Sequence, residues 1–124
     1  MGGVANMSII FYTYPKCGTC RKAASWLKEH NVTVEAVDIT LNPPSKELLA
    51  DVLKASGISI NKLFNTSGVK YRELGLKDVI PTKTEEELLE LLSSDGKLIK
   101  RPLLFNGDQA TVGFNEEVFE KVWL

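Results

Sequence analysis

Residues 9–30 read IIFYTYPKCGTCRKAASWLKEH. The first six, Ile9–Tyr14, are a short apolar and aromatic run stopped by Pro15, the pattern of a strand buried on both faces. Beyond it Cys20, Ala23, Ala24 and Leu27 recur at helical spacing, with Arg21, Lys22, Lys28 and Glu29 elsewhere on the wheel. That spacing predicts an amphipathic helix from about Gly18 to His30. Thr33–Ile39 (TVEAVDI) alternates with period two and predicts a second strand. A β-α-β order with so short a connection implies a parallel pair joined by a right-handed crossover. The motif Cys17-Gly18-Thr19-Cys20 then falls where strand gives way to helix.

Outward from this unit, Asn42-Pro43-Pro44 breaks the pattern. Ser45 is a plausible N-cap for a helix carrying Leu48, Leu49, Val52 and Leu53, ended by Gly57. A short turn bearing Ile60, Leu63 and Phe64 follows, then the loop Asn65–Gly68, then a short helix with Tyr71, Leu74 and Leu76 that stops near Gly75. Thr84-x-x-Glu87 is a capping box that opens a helix with Leu88, Leu89, Leu91 and Leu92. Residues from about 43 to 96 therefore read as a helical insert. Pro102–Asn106 and Ala110–Phe114 flank Gly107-Asp108 and predict an antiparallel hairpin. Asn115 caps a last helix with Val118, Phe119, Val122 and Trp123 on its apolar side.

The chain has 124 residues, 44% of them hydrophobic and 25% charged, which fits one domain and argues against disorder. We assign it to residues 7–124, with residues 1–6 as a leader or tag remnant before a natural start at Met7. Lys and Arg number 15 against 16 Asp and Glu, so the basic excess of a phosphate-binding nucleic-acid partner is missing. No apolar run approaches the ~18 residues of a membrane span. No secretory signal is visible. These readings predict a cytoplasmic protein that binds neither nucleic acid directly nor membrane. The two cysteines, two residues apart, are too few and too close for a secreted disulfide scaffold. Zinc needs about four ligands and a lone C-x-x-C supplies two, so no metal is expected. Thiol chemistry in a reducing compartment remains, against the plainer alternative of two small semi-buried residues.

The physical reason for preferring the chemistry lies in the position of Cys17. The first N–H groups of a helix lack internal partners, and the dipole places partial positive charge there. A thiolate at that point is favoured. Lys16 and Arg21 add positive charge, and Gly18 lets the backbone approach an anion closely. Cys20, one turn on, leans toward the apolar face. Cys17 is therefore the expected attacking sulfur and Cys20 the resolving thiol. Arg101-Pro102 reads either as a strand-start proline beside a solvated charge or as part of the site. His30 is expected to complement a helix C-terminus, Trp26 and Trp123 to pack, and Lys97, Lys100 and Arg101 to form a small basic group, either a solvated strand edge or a recruiter of anions to Cys17.

The combination of Tyr14–Ala23 (YPKCGTCRKA), Tyr71–Leu76 (YRELGL), Leu98–Leu103 (LIKRPL) and Val112–Asn115 (VGFN) resembles the arsenate-reductase-like family, which also contains the Spx-type regulators. The resemblance implies an α/β thioredoxin-like fold, a β-α-β…β-β-α mixed sheet with an inserted helical region. It implies Cys17 as the redox or arsenate-attacking cysteine, Pro102 as a cis-proline facing it, and Arg101 beside the thiolate as an oxyanion holder. Lys16, Gly18, Thr19, Arg21 and Pro102 are the expected substrate-binding residues. Several positions depart from the glutathione- and glutaredoxin-coupled arsenate reductases: Cys20 stands for their serine, Thr13 for a histidine, and Asn65 for the first of three arginines, while Gln109–Asn115 offers no third. The C-x-x-C is the pattern of the Spx-like branch, whose members bind the RNA polymerase α-subunit. Two functions follow as expectations. One is a thiol-dependent oxidoreductase acting on a small thiol, disulfide or oxyanion, without a bound cofactor and served by an external low-molecular-weight thiol or a glutaredoxin- or thioredoxin-type reductant. The other is a redox-switched regulator that binds the RNA polymerase α-subunit. A monomer is expected in either case.

Overall fold

The computed structural model describes residues 8–124, and the expected leader over residues 1–6 lies outside them. Strand β1 (Ile9–Thr13) leads to helix α1 (Gly18–Glu29) and strand β2 (Val34–Asp38). The insert holds α2 (Lys46–Ser56), α3 (Val69–Glu73), α4 (Leu76–Val79) and α5 (Glu85–Ser94), with single 3₁₀ turns at Ile60–Leu63, Ile80–Thr82 and Gly96–Leu98. Strands β3 (Leu103–Phe105) and β4 (Ala110–Val112) and helix α6 (Glu116–Trp123) complete the order. The sheet runs β2-β1-β3-β4, with β1 parallel to β2 and antiparallel to β3, and β3 antiparallel to β4. This is the thioredoxin-like mixed sheet that the β-α-β…β-β-α order implies.

Register sorts the side chains between the two faces. Phe11, Leu104 and Thr111 share one rung, and Tyr12, Leu103 and Val112 the next. Alternate rungs point to opposite sides of a pleated sheet. The first rung packs with Ala23, Trp26 and Leu27 of α1 and Phe119 and Trp123 of α6. The second packs with Leu49 and Val52 of α2 and Leu88, Leu89 and Leu92 of α5. Each buried large apolar side chain contributes roughly 1.5–3 kcal/mol relative to exposure. Thr111 is the exception in composition, and its hydroxyl accepts the Trp123 indole N–H at 3.1 Å. Both tryptophans are thus packing residues, as expected. His30 is the C-cap of α1, with its ring stacked on Trp26 at 4.0 Å.

The structure trims or divides several predicted elements. The strands are shorter than the apolar runs that announce them, and Gly113 at φ +82° ends β4 before Phe114. The helix carrying Tyr71 stops near Gly75 as expected, and Leu76 opens a second short helix, because Gly75 turns left-handed at φ 60° between them. The four helix starts with side-chain caps fall at Cys17, Ser45, Thr84 and Asn115, and the capping box of Thr84 and Glu87 has both of its bonds.

One close approach fixes how the insert returns to the sheet. Gly96 is buried against the end of β2, where an added Cβ would overlap the Ile39 carbonyl. Beyond it, the Asn65 N–H donates to the Leu98 carbonyl at 2.8 Å and the Lys100 N–H to the Leu63 carbonyl at 2.7 Å. These bonds lock the 63–65 segment to the 98–100 segment just before Arg101. Gly96→Ala should therefore cost about 2 kcal/mol or more in a denaturant titration; a loss under about 0.5 kcal/mol would show that the turn is free to move away.

Candidate functional site

Cys17 is the N-cap of α1, with extended backbone at φ −104° and ψ 113°. Its own N–H donates to the Tyr14 carbonyl at 3.1 Å, and its carbonyl accepts the Arg21 N–H at 3.2 Å. Its Sγ accepts the Cys20 N–H at 3.2 Å. A sulfur thus fills the place that a serine, threonine or aspartate oxygen usually holds, satisfying an amide that the helix cannot. The residue is half-buried, so the sulfur keeps access to solvent.

Cys20 sits one turn on and is only 1% exposed. Both cysteines are free thiols. Burial is the main cause that pushes the Cys20 thiol up to about 11, and the neighbouring Cys17 sulfur works in the same direction. Contacts to the Thr13 side chain and the Tyr14 backbone oppose the shift without cancelling it. The pair is therefore asymmetric: an accessible sulfur at the helix tip, and a buried one held in its protonated form behind it.

Cys17 opens into a cleft of about 580 Å³ whose walls include Thr19, Asn65, Ser67, Lys100, Arg101, Phe114 and Asn115. Among the described residues, no carboxylate lines it, and two cations do. Arg101 precedes Pro102 through a cis peptide bond. Its guanidinium carbon lies 4.7 Å from the centroid of the Tyr14 ring. Its Nη1 is buried and has no hydrogen-bond partner among the described residues. A buried, charged donor without a partner is costly in isolation and suits an anionic ligand. Lys100 reaches the same cleft over Gly113, where a Cβ would meet its Cε at 3.1 Å. Arg101 also borders a second cleft of about 340 Å³, shared with Tyr14, Asn65, Lys70, Lys97 and one carboxylate, Glu73, which makes no ion pair with Arg101.

The structure brings Cys17, Thr19 and Arg101 together as the sequence suggests. Cys20 lies behind the surface of the cleft. Lys16 and Arg21 are exposed and outside its lining, and Arg21 instead donates from Nη1 to the Pro15 carbonyl at 3.1 Å. Gly18 is outside it too, with space for a Cβ up to the Arg21 side chain at 4.0 Å. Pro102 is cis as the resemblance implies, yet it is buried and does not line the cleft; its carbonyl accepts the Gly113 N–H at 2.8 Å. The positive charge attributed in sequence to Lys16 and Arg21 comes to the cleft from Lys100 and Arg101. Asn65 and Ser67, in a loop that the sequence offers as a shaper of the pocket entrance, and Asn115, which it marks only as a cap, also line the cleft. Among the described residues, no group of three or more His, Cys, Asp or Glu side chains is arranged to hold a metal ion. No helix there is long and apolar enough to cross a membrane.

Comparison with known proteins places this geometry in a family. The ArsC family matches residues 12–122. The Bacillus subtilis protein YusI is 55% identical over 117 residues, covering 94% of this chain and 99% of that one. The global transcriptional regulator Spx of Streptococcus agalactiae is 31% identical, covering 88% of this chain and 78% of its own. The crystal structure of an ArsC-family-related protein from Bacteroides fragilis superposes with a TM-score of 0.89 at 44% identity, covering 93% of this chain and 97% of that one. With a family match running from the central strand into the last helix, the chain belongs to the ArsC family.

Proposed function

We propose that this chain is a thiol-dependent oxidoreductase whose substrate is a disulfide bearing an anionic group. The observation that carries the reading is that Cys17 and Arg101 line one cleft, with the buried Nη1 of that arginine left without a partner among the described residues. The Cys17 thiolate attacks one sulfur of a substrate disulfide R–S–S–R′. A Cys17–S–S–R bond forms, and R′S⁻ leaves and takes a proton from solvent. Cys20 then loses its proton and attacks the Cys17 sulfur, giving the Cys17–Cys20 disulfide and releasing RS⁻. The substrate gains two electrons and the cysteine pair loses two. An external low-molecular-weight thiol, or a glutaredoxin- or thioredoxin-type dithiol, returns them. Arg101 and Lys100 hold the anionic part of the substrate, and Thr19 and Asn65 offer neutral hydrogen bonds beside it.

Arsenate fits this cleft less well. The positions that carry two further arginines in the glutathione-coupled reductases are occupied here by Asn65 and by a stretch, Gln109–Asn115, without arginine. Each missing charge-assisted contact is worth about 1.5–3 kcal/mol. The similarity to a global transcriptional regulator favours a second reading, in which the same cysteine pair is a redox switch governing capture of the RNA polymerase α-subunit. Capture of the purified α-subunit that differs between the reduced and the oxidised chain supports that reading, and equal capture or no capture in both states removes it.

The oxidoreductase reading predicts the order of labelling. In the folded, reduced chain at neutral pH, Cys17 should alkylate at least about tenfold faster than Cys20 by mass spectrometry; equal rates would remove the nucleophile assignment. With a small acidic disulfide as substrate, Cys17→Ser should abolish turnover, whereas Cys20→Ser should stall as a mixed disulfide on Cys17.

The pH dependence has a defined sign. Raising pH deprotonates Cys20, and with its thiol held up near 11 by burial the reactive fraction grows about tenfold per pH unit through the neutral range. Closure of the Cys17–Cys20 disulfide from a preformed Cys17 adduct should therefore accelerate steadily from pH 6 to 8 in a rapid-quench experiment. A rate already level across that interval would show that Cys20 is ionised at neutral pH.

A further inference from the structure

We infer that Tyr14 is a positioning residue that sets both the sulfur and the arginine of this site, and that it does so with an aromatic face so that Arg101 keeps its donors for an anionic ligand. The inference rests on the reading of Cys17 and Arg101 just given. A guanidinium at a cleft wall needs something to hold it. The usual holder is a carboxylate, which would take the N–H donors and cancel the charge. Among the described residues Arg101 makes no salt bridge; the three ion pairs involve Lys46 and Lys70. What lies against it is the ring of Tyr14, with the guanidinium carbon 4.7 Å from the centroid. An aromatic face attracts a cation through its quadrupole and accepts no in-plane hydrogen bond. The charge therefore stays available, and the buried Nη1 stays without a partner.

The location of Tyr14 sharpens the point. Arg101 borders both clefts, whereas Tyr14 borders only the second. The ring therefore holds the guanidinium without itself lining the Cys17 cleft. The main chain of the same residue holds the sulfur, because the Tyr14 carbonyl accepts the Cys17 N–H at 3.1 Å. One residue thereby ties the nucleophile to the anion holder. Sequence places it three positions before Cys17, immediately before Pro15, where the proline favours extended backbone.

The test compares two alkylating agents of nearly equal size, anionic iodoacetate and neutral iodoacetamide, on the full chain. The ratio of their rates at Cys17 reads the attraction for an anion independently of thiol reactivity. Arg101→Gln should lower that ratio about tenfold. Tyr14→Leu should lower it about threefold or more, with the iodoacetamide rate kept within about twofold, because the backbone bond to Cys17 survives the substitution. Tyr14→Phe, which keeps the ring, should keep the ratio. In the Arg101→Gln background, Tyr14→Leu should change the ratio no further. A merely structural role would slow both reagents together and leave the ratio as it was, and that result overturns the inference, as does an undiminished effect of Tyr14→Leu without Arg101. Should Tyr14→Leu lose the circular dichroism of the folded chain, Tyr14→Met is read in the same way. A wild-type Cys17 slow toward both reagents would instead overturn the nucleophile assignment, and this inference with it.

Discussion

A cysteine sulfur stands where a helix normally begins with an oxygen, and it accepts the amide N–H of Cys20 at 3.2 Å. That bond needs a strand arriving, a helix departing, and the sulfur held between them. The central position of β1, hydrogen-bonded on both edges by β2 and β3, supplies the first condition. Ala23, Trp26 and Leu27, packed on the Phe11–Leu104 rung, supply the second. The rest of the chain can be understood as what brings a complementary wall up to this fixed point.

That wall is assembled from distant segments. Gly96 lets the turn after α5 touch the end of β2, and the pairing of residues 63–65 with 98–100 then delivers Asn65, Lys100 and Arg101 together. The result is a cleft that, among the described residues, has two cations and no acid on its lining. Such a site is unfavourable in the absence of an anion and gains from one, because a charge in a partly desolvated wall interacts more strongly than the same charge in water. The asymmetry of the cysteines complements it. Cys17 meets the ligand, whereas burial disfavours the ionised form of Cys20 behind it.

Much of this was legible before any coordinates. The alternation of Thr33–Ile39 and the helical spacing of Cys20, Ala23 and Leu27 give the β-α-β unit, since one face of each element must be buried. Ser45, Thr84 and Asn115 cap the helices they announce, because a cap is a local bond made within three residues. Gly75 ends a helix as it reads in the sequence, yet its left-handed turn also lets a second short helix start at once, which no local signal announces. In the site, Lys16 and Arg21 lie next to the motif in sequence but point away from the cleft lining, and Arg21 spends a donor on the Pro15 carbonyl. Proximity along a chain of alternating and helical periodicities does not fix direction.

By itself, then, the sequence determined the order of elements, their caps, and the junction at which Cys17 becomes an N-cap, because each depends on contacts within a few residues. Only the tertiary structure decided which cations face that sulfur, that Tyr14 rather than a carboxylate backs Arg101, and that Cys20 is buried deeply enough to stay protonated. Those outcomes depend on the register of β1 against β3 and on the return of the insert at Gly96. They join residues some ninety positions apart, where no local periodicity carries the information.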